Sequence, residues 1–385
     1  MTEVAFIQNG KLFRVTAGGE PIPVESAFAN QVSEREAQIR RKTEWKKNTA
    51  RPGSCGPYNQ NCEENCITAN FSSVSVNPHS QELHYALYTD TIGGVFAAAS
   101  TERRILHTNQ YRPGFLAFEP KGDRTACAVE HVDGSSNLGL IDGKTGRITT
   151  LTEGDAVDTA PAWHPTRENC LIYQSTGIAR SEYGDIQLFA PAALRLLNLK
   201  DSSIETILED EKFDFLTPRF GPDGTLYYLR RPYQKHDQSS LLKKLEDAFM
   251  APFRLIRAIY ARLNFFSLMY TGKPLTSAGG SAIERSNARK VAIWGNLLEA
   301  DAAARFPGLH SETVPSMVPS SWQLVAQDSS GKTTTLSDGV LSFDIGPKGT
   351  IVISNGSTAY VLSKEGVRTR LASGRVIQSV AVLKE

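Results

Sequence analysis

The chain is poor in cysteine and shows no excess of either charge sign. Its five Cys are an odd number, and Cys127 and Cys170 sit in apolar, strand-like runs, so no paired disulfide framework is expected and a reduced, cytoplasmic protein is. Basic side chains number 42 against 41 acidic ones, a net charge of +1, which removes any global case for nucleic-acid binding or a strongly acidic partner. No run of 18 uncharged apolar residues occurs, so no spanning helix is expected. Residues 1–6 lack the basic and apolar regions of a leader, so no secretory signal is expected. Catalytic signatures are missing too. Gly279-Gly280-Ser281-Ala282-Ile283 and Asn355-Gly356-Ser357-Thr358-Ala359 both fail the G-x-S-x-G elbow, and there is no Walker A, G-x-G-x-x-G or H-E-x-x-H motif.

What the chain does have is a repeat. Five segments share two apolar positions one residue apart, a further residue, Pro, and a polar turn into a β-rich run. They end at Pro78, Pro120, Pro165, Pro222 and Pro347, as in Pro161-Ala162-Trp163-His164-Pro165 and Pro218-Arg219-Phe220-Gly221-Pro222. Apolar residues two apart suit one face of a strand, and the Pro ends ladder pairing and opens a turn. Third and fourth strands follow through hairpin turns such as Asp142-Gly143-Lys144-Thr145-Gly146. Four short strands per unit, repeated radially, predict a β-propeller.

The chain ends supply a sixth unit. Residues 4–7, 12–15 and 21–25 form three strands with no first strand before them, and 376–383 is one strand with nothing after it. Pairing them removes both open edges. The fold class expected is all-β: a six-bladed β-propeller closed by the C-terminal strand on the N-terminal blade, with helical insertions on one face. The whole of 1–385 is one domain. Blade one is 1–25 plus 375–385, blade two 66–109, blade three 112–154, blade four 156–210, blade five 213–231 plus 321–339, and blade six 340–374.

Asp158 with Pro161-Ala162-Trp163-His164-Pro165, and Pro218 to Gly224, resemble the D-x-x-P-x-[WF]-S-P-D-G repeat of TolB-like (WD40-like) propellers. The resemblance covers the strand framework and implies a fold, since one propeller scaffold hosts many tasks. It departs at His164 and Gly221, where the family's repeat has Ser.

Three segments fall outside the repeat: 26–65, 174–193 and 232–320. All lie in second-to-third or fourth-to-first connections, which emerge on the same side of an up-and-down blade, so one decorated working face is expected. In 239–271, Leu242, Leu245, Phe249, Phe253, Ile256, Tyr260, Leu263, Phe266 and Tyr270 recur at helical steps, with Arg254, Arg257 and Arg262 on a flank. Phe253, Arg254, Ile256, Arg257, Tyr260, Arg262 and Phe266 are the candidate partner-binding residues. Packing on the propeller and lying in a membrane interface are the alternatives for this helix. Segment 26–50 reads as a basic helix capped by Ser26, with a solvated face expected. Cys55, Cys62 and Cys66 are metal candidates by clustering alone, because their spacings of seven and four miss the C-x2-C pair and no His is near. No cofactor is expected. The function expected is a non-catalytic scaffold that docks a protein in an intracellular assembly. A channel-site enzyme, a metal-dependent hydrolase or lactonase-like, is the alternative, with His84 and His131 near enough to the channel to be considered.

Overall fold

The computed structural model describes residues 2–35, 38, 42, 69–89, 92–98, 101–184, 186–233, 290–293, 296–299, 316–363, 366–374 and 376–385. The chain divides into two compact units, one of Met1–Gln31, Thr68–Gln234 and Ala288–Glu385, the other of Val32–Ile67 and Lys235–Asn287. The described residues of the first unit are mostly β structure. Residues 27–35 are helical, beginning where expected: Ser26 Oγ accepts the Ala29 N–H at 3.2 Å.

Strands are numbered along the chain. The first sheet has the order β27 (Ile377–Lys384), β1 (Glu3–Gln8), β2 (Lys11–Thr16), β3 (Ile22–Pro23). The second runs β4 (Asn70–Val76), β5 (Leu83–Tyr88), β6 (Gly93–Ala98), β7 (Arg103–Thr108). The third comprises β8 (Arg112–Phe118), β9 (Arg124–Glu130), β10 (Ser136–Asp142) and β11 (Ile148–Thr150). The fourth holds β12 (Ala156–Trp163), β13 (Cys170–Arg180), β15 (Ala193–Asn198) and β16 (Ser203–Leu208), with β14 (Ile186–Phe189) added on the far end of β13. Third and fourth sheets touch through one parallel pairing, Ser136 with Val157. The fifth is β17 (Phe213–Phe220), β18 (Leu226–Pro232), β21 (Gln323–Gln327), β22 (Thr333–Asp338). The sixth is β23 (Ser342–Ile345), β24 (Ile351–Ser354), β25 (Thr358–Leu362), β26 (Arg368–Ser373).

Within 232–320, read from sequence as a helical insertion, β19 (Lys290–Ile293) instead pairs antiparallel with β20 (Asn296–Glu299). Val291 and Ile293 alternate with Lys290 and Ala292, a period of two rather than 3.6.

Second strands lose the in–out alternation of a half-exposed sheet. All but the last residue of β5, and Thr125 to Val129 of β9, are buried on both faces, because each sheet is sandwiched between neighbours. Outer strands such as β7, β16 and β22 are mostly exposed. The apolar clusters record which sheets are sandwiched. Ile7 and Leu12 of the first sheet pack with Tyr85 and Phe96 of the second. Val95 and Leu106 meet Leu116 and Ile141 of the third. Ala126 and Leu138 of the third meet Trp163 and Tyr173 of the fourth. Ile172 and Leu194 then meet Phe215 and Tyr228 of the fifth. Leu216 and Leu324 meet Ile353 and Tyr360 of the sixth, and Val352 and Leu371 return to Val4 and Phe6 of the first.

The first sheet depends on both chain ends. Strand β27 pairs antiparallel with β1 from Glu3 opposite Lys384 to Gln8 opposite Ile377. Ile377 is fully buried and Val380, Ala381 and Val382 nearly so. Removing residues 377–385 is therefore expected to abolish the cooperative melting transition followed by circular dichroism. A truncated chain melting within a few degrees of the full one would show that this strand is dispensable.

Candidate functional site

The repeat positions the inner strands, and a strained residue shapes each of three of them. Phe115, Ala160 and Thr217 take positive φ (51, 50 and 48°), each five residues before its turn proline. At each the ladder slips, between Gly114 and Ala117, Thr159 and Ala162, and Leu216 and Arg219. Such bulges bend a strand and re-aim its side chains. Here they face a cavity of about 720 Å³ lined from all six sheets, by Ser73, Phe118, Trp163, Arg219, Asp344 and Val380 among others.

The cavity's charges are tied into its wall. Arg219 Nε lies 3.7 Å from Asp344 Oδ1, and its Nη1 donates to the Pro218 carbonyl at 2.9 Å. Asp344 Oδ2 accepts the Val382 N–H at 2.8 Å, so the pair links the fifth, sixth and first sheets. Burial pushes the Asp344 carboxyl up and the Arg219 guanidinium down, against the attraction between them. Both are deeply enclosed, yet a quarter of the Arg219 side chain and about a fifth of Asp344 stay open to the cavity, so water reaches the pair. Trp163 Nε1 donates to the Ala117 carbonyl at 3.0 Å. Thr217 and Ser342 line the cavity with hydroxyls that have no protein partner among the described residues. Polar solvent or a polar ligand fits such a wall. Among the described residues no three His, Cys, Asp or Glu side chains gather as a metal site.

Neither His84 nor His131 lines the cavity. The ring of His84 packs edge-on against Phe118 at 4.7 Å, and its Nε2 is 3.6 Å from Glu82. Burial lowers its pKa below the usual 6.5, outweighing the opposing pull of Glu82. The folded state therefore binds this proton less readily than the unfolded chain. The contribution of His84 to stability is intact above pH 6.5 and is lost as pH falls through the depressed value. The advantage of wild type over His84→Phe in melting temperature should accordingly shrink between pH 7 and pH 5. A constant difference over that interval would refute it.

A second surface lies where four connections meet. Strand β13 overruns its sheet and pairs with β14 from Ile178 opposite Phe189 to Arg180 opposite Ile186. The Arg180 guanidinium reaches three neighbouring segments. Nε donates to Asp155 Oδ1 at 2.7 Å, Nη1 to the Asp133 and Gly184 carbonyls at 3.1 Å each, and Nη2 to Asp133 Oδ2 at 3.3 Å. The β9–β10 turn holds Asp133 in place by the Ser135 hydroxyl and N–H, which keep its carboxyl below the usual range. Gly134 (φ +84°) lies so close to Ile186 that an added Cβ would come within 2.8 Å of Ile186 Cδ1. At the other side Tyr233 donates its hydroxyl to the Phe189 carbonyl at 2.6 Å and its N–H to the Lys212 carbonyl at 2.8 Å. The hairpin is thereby fastened to the β9–β10, β11–β12 and β16–β17 connections and to the end of β18.

This fastened platform exposes large apolar side chains. Val132 is 99% and Tyr183 90% exposed, with Ile186 and Phe189 exposed beside them. The base of the hairpin is anchored by a buried ion pair. Asp214 accepts the Ala192 N–H at 2.9 Å and Arg231 Nε at 2.8 Å, and Arg231 lies over the Trp322 ring at 4.7 Å.

Phe253, Arg254, Ile256, Arg257, Tyr260, Arg262 and Phe266 lie outside the described residues, as do Cys55, Cys62 and Cys66. Cys127 and Cys170 are free, buried thiols. The 174–193 segment, in sequence an extra-long connection, forms the far end of β13 and the added strand β14. The short β-rich run Ile186-Gln187-Leu188-Phe189, bounded by Gly184 and Pro191, is the signal that marks a strand there.

Among solved structures the chain is similar to TolB from Acinetobacter baumannii, with a TM-score of 0.53 at 11% identity. The fold is a TolB-like β-propeller. That match covers 99% of this chain and 66% of the TolB chain, so the chain spans less than two thirds of its length. A chain of the Nidogen/Laminin complex matches with a TM-score of 0.51 at 6% identity, covering 100% of this chain and 99% of its own. No protein-family model matches this sequence, and no curated protein does. At such identities the propeller likeness is one of fold. No helix among the described residues is long and apolar enough to cross a membrane.

Within the propeller, Asp214→Ala leaves the Arg231 charge buried without its carboxylate. The Asp214 and Arg231 side chains are 7% and 8% exposed. We expect a loss of roughly 3–5 kcal/mol, as for other buried pairs with one partner removed. Urea denaturation checks it, and a change under ~1 kcal/mol would refute it.

Proposed function

We propose that this chain is a non-catalytic protein-binding scaffold, a six-bladed propeller closed by its C-terminal strand that docks a partner on the connection-bearing platform around β14. The six-bladed reading is supported by the succession of apolar clusters, each sheet packing with the next and the sixth with the first. The closure is supported by the β27–β1 ladder, which gives the first sheet its inner strand from the other chain end.

The observation that carries the docking reading is the exposure of Val132, Tyr183, Ile186 and Phe189 on segments that Arg180 and Tyr233 already hold fixed. Binding costs side-chain and loop ordering, and a surface whose loops are bonded before the partner arrives pays less of it. Large anchors in such a setting supply most of the affinity of a protein interface. The 239–271 stretch, with Phe253, Arg254, Ile256, Arg257, Tyr260, Arg262 and Phe266, belongs to the same proposal as a further set of anchors. A reducing, cytoplasmic assembly suits the free thiols of Cys127 and Cys170. The proposal assigns no cofactor.

The test is quantitative affinity recovery of proteins by the tagged full chain, by Val132→Ser/Tyr183→Ser, and by a chain lacking 239–274. The double variant changes only exposed side chains, so its melting should match wild type. A defined partner present with wild type and depleted with either variant is the expected result. Identical recovery by all three would sink the docking reading. Turnover of a screened substrate that Asp344→Asn abolishes would point to a channel enzyme instead.

A further inference from the structure

The platform has a charge as well as an apolar centre. Asp133 in the β9–β10 turn, Glu153 and Asp155 before β12, Glu182 at the hairpin tip, and the run Glu209-Asp210-Glu211 before β17 are all exposed. Against these seven carboxylates the same described segments carry two cations, Arg180 and Lys212, so the local balance is 2 − 7 = −5. The chain as a whole is +1. Acidity is therefore concentrated at this end of three adjacent sheets rather than spread over an acidic protein. Arg180 is committed to Asp133 and Asp155 within the structure and offers little to an incoming anion.

The shape of the opening is set by β14. Its ladder partner is β13 alone, so its other edge is unpaired among the described residues, except that Tyr233 occupies the Phe189 carbonyl. An unpaired strand edge takes an extended segment by backbone hydrogen bonding. Side chains of an added strand alternate in direction. The set on the Arg180 side would meet Ile186, Phe189 and the Asp133 and Asp155 carboxylates together, since Ile186 lies opposite Arg180 and Phe189 opposite Ile178.

We propose that the β14 edge binds an extended segment of a partner protein that carries Lys or Arg beside large apolar residues. This rests on the docking reading above and names the partner's chemistry. Cations on the segment complement the surplus of −5, speed encounter, and disfavour acidic competitors, while Val132, Tyr183, Ile186 and Phe189 supply the apolar contact. Nucleic acid and phosphorylated segments are repelled by the same field.

The probe is a fluorescent ten-residue peptide of Lys, Val and Phe with Lys and apolar residues on both faces of the extended chain, titrated into the full chain beside a counterpart with Glu for every Lys. The Lys peptide should bind, weaken as salt is raised, and lose at least tenfold in affinity to Glu153→Lys/Glu182→Lys and to Val132→Ser/Tyr183→Ser. The Glu peptide should bind at least tenfold more weakly to wild type. All substitutions are on exposed side chains, and unchanged melting confirms that the variants are folded. Equal affinity for the two peptides, no binding of the Lys peptide, or indifference to both variants overturns the proposal. So does self-association of the chain that both variants abolish, which would make a second copy the occupant. If the peptide fails while Val132→Ser/Tyr183→Ser still loses a recovered partner, the partner's chemistry is wrong and the docking reading stands. If that variant keeps every partner and the peptide does not bind, both fall.

Discussion

The antiparallel ladder between β27 and β1 is the constraint on which the other sheets lean. No sheet here is stable by itself, because its two broad faces are apolar and need a neighbour on each side. The first sheet borrows its inner strand from the far end of the chain, so its β27–β1 hydrogen bonds join the two chain ends while β1–β2 and β2–β3 pair locally. A ladder closed over the whole chain carries a large loop-closure cost, which the buried Ile377, Val380 and Val382 help to offset. Without it the clusters on either side of the first sheet would each lose a wall, and two sheet edges would lie open.

The same scaffold logic makes its connections useful. A connection between strands ordinarily moves with solvent, but Arg180 spends one guanidinium on the β9–β10 turn, the β11–β12 connection and its own hairpin. Its planar fork suits several oxygens held in different directions, which an ammonium would satisfy less well. Tyr233 does the complementary work from the fifth sheet. Three adjacent sheets are thus coupled at one end through side chains as well as through the single Ser136–Val157 strand pairing.

The fold was legible in the sequence because it repeats. Turn prolines such as Pro120, Pro165 and Pro222 fall at one point of the strand cycle, and a pattern sampled five times survives irregularities in any one unit. The pairing of the two chain ends was legible by elimination, since an unpaired first strand and an orphan last strand complete each other. The site was much less so. Val132 and Tyr183 stand alone among polar neighbours, and no periodicity links them to Ile186 and Phe189. What gathers them is Arg180, and a lone Arg four residues before Gly184 carries no sign of reaching Asp133, 47 positions away. The left-handed Phe115, Ala160 and Thr217 were hidden for a different reason: none is Gly, Asn or Asp, and the bulge that requires the conformation belongs to the assembled sheet. The 239–271 stripe announced itself strongly as a helix while lying outside the described residues.

Cavity and platform differ in what binding would gain. In the cavity the charged groups already have protein partners. Arg219 is held by Asp344 and Pro218, and Asp344 also by Val382, so an entering ligand must compete for them and gains only the difference. The hydroxyls of Thr217 and Ser342 want a partner, but water supplies one at little cost. On the platform the exposed groups are apolar, and water is the poorer partner. Burying a Tyr183 or Val132 side chain recovers about 1.5–3 kcal/mol each, and the ordering of their backbone has been met by bonds within the chain. On the docking reading proposed above, a partner chain on this braced edge would gain more than a ligand entering the cavity.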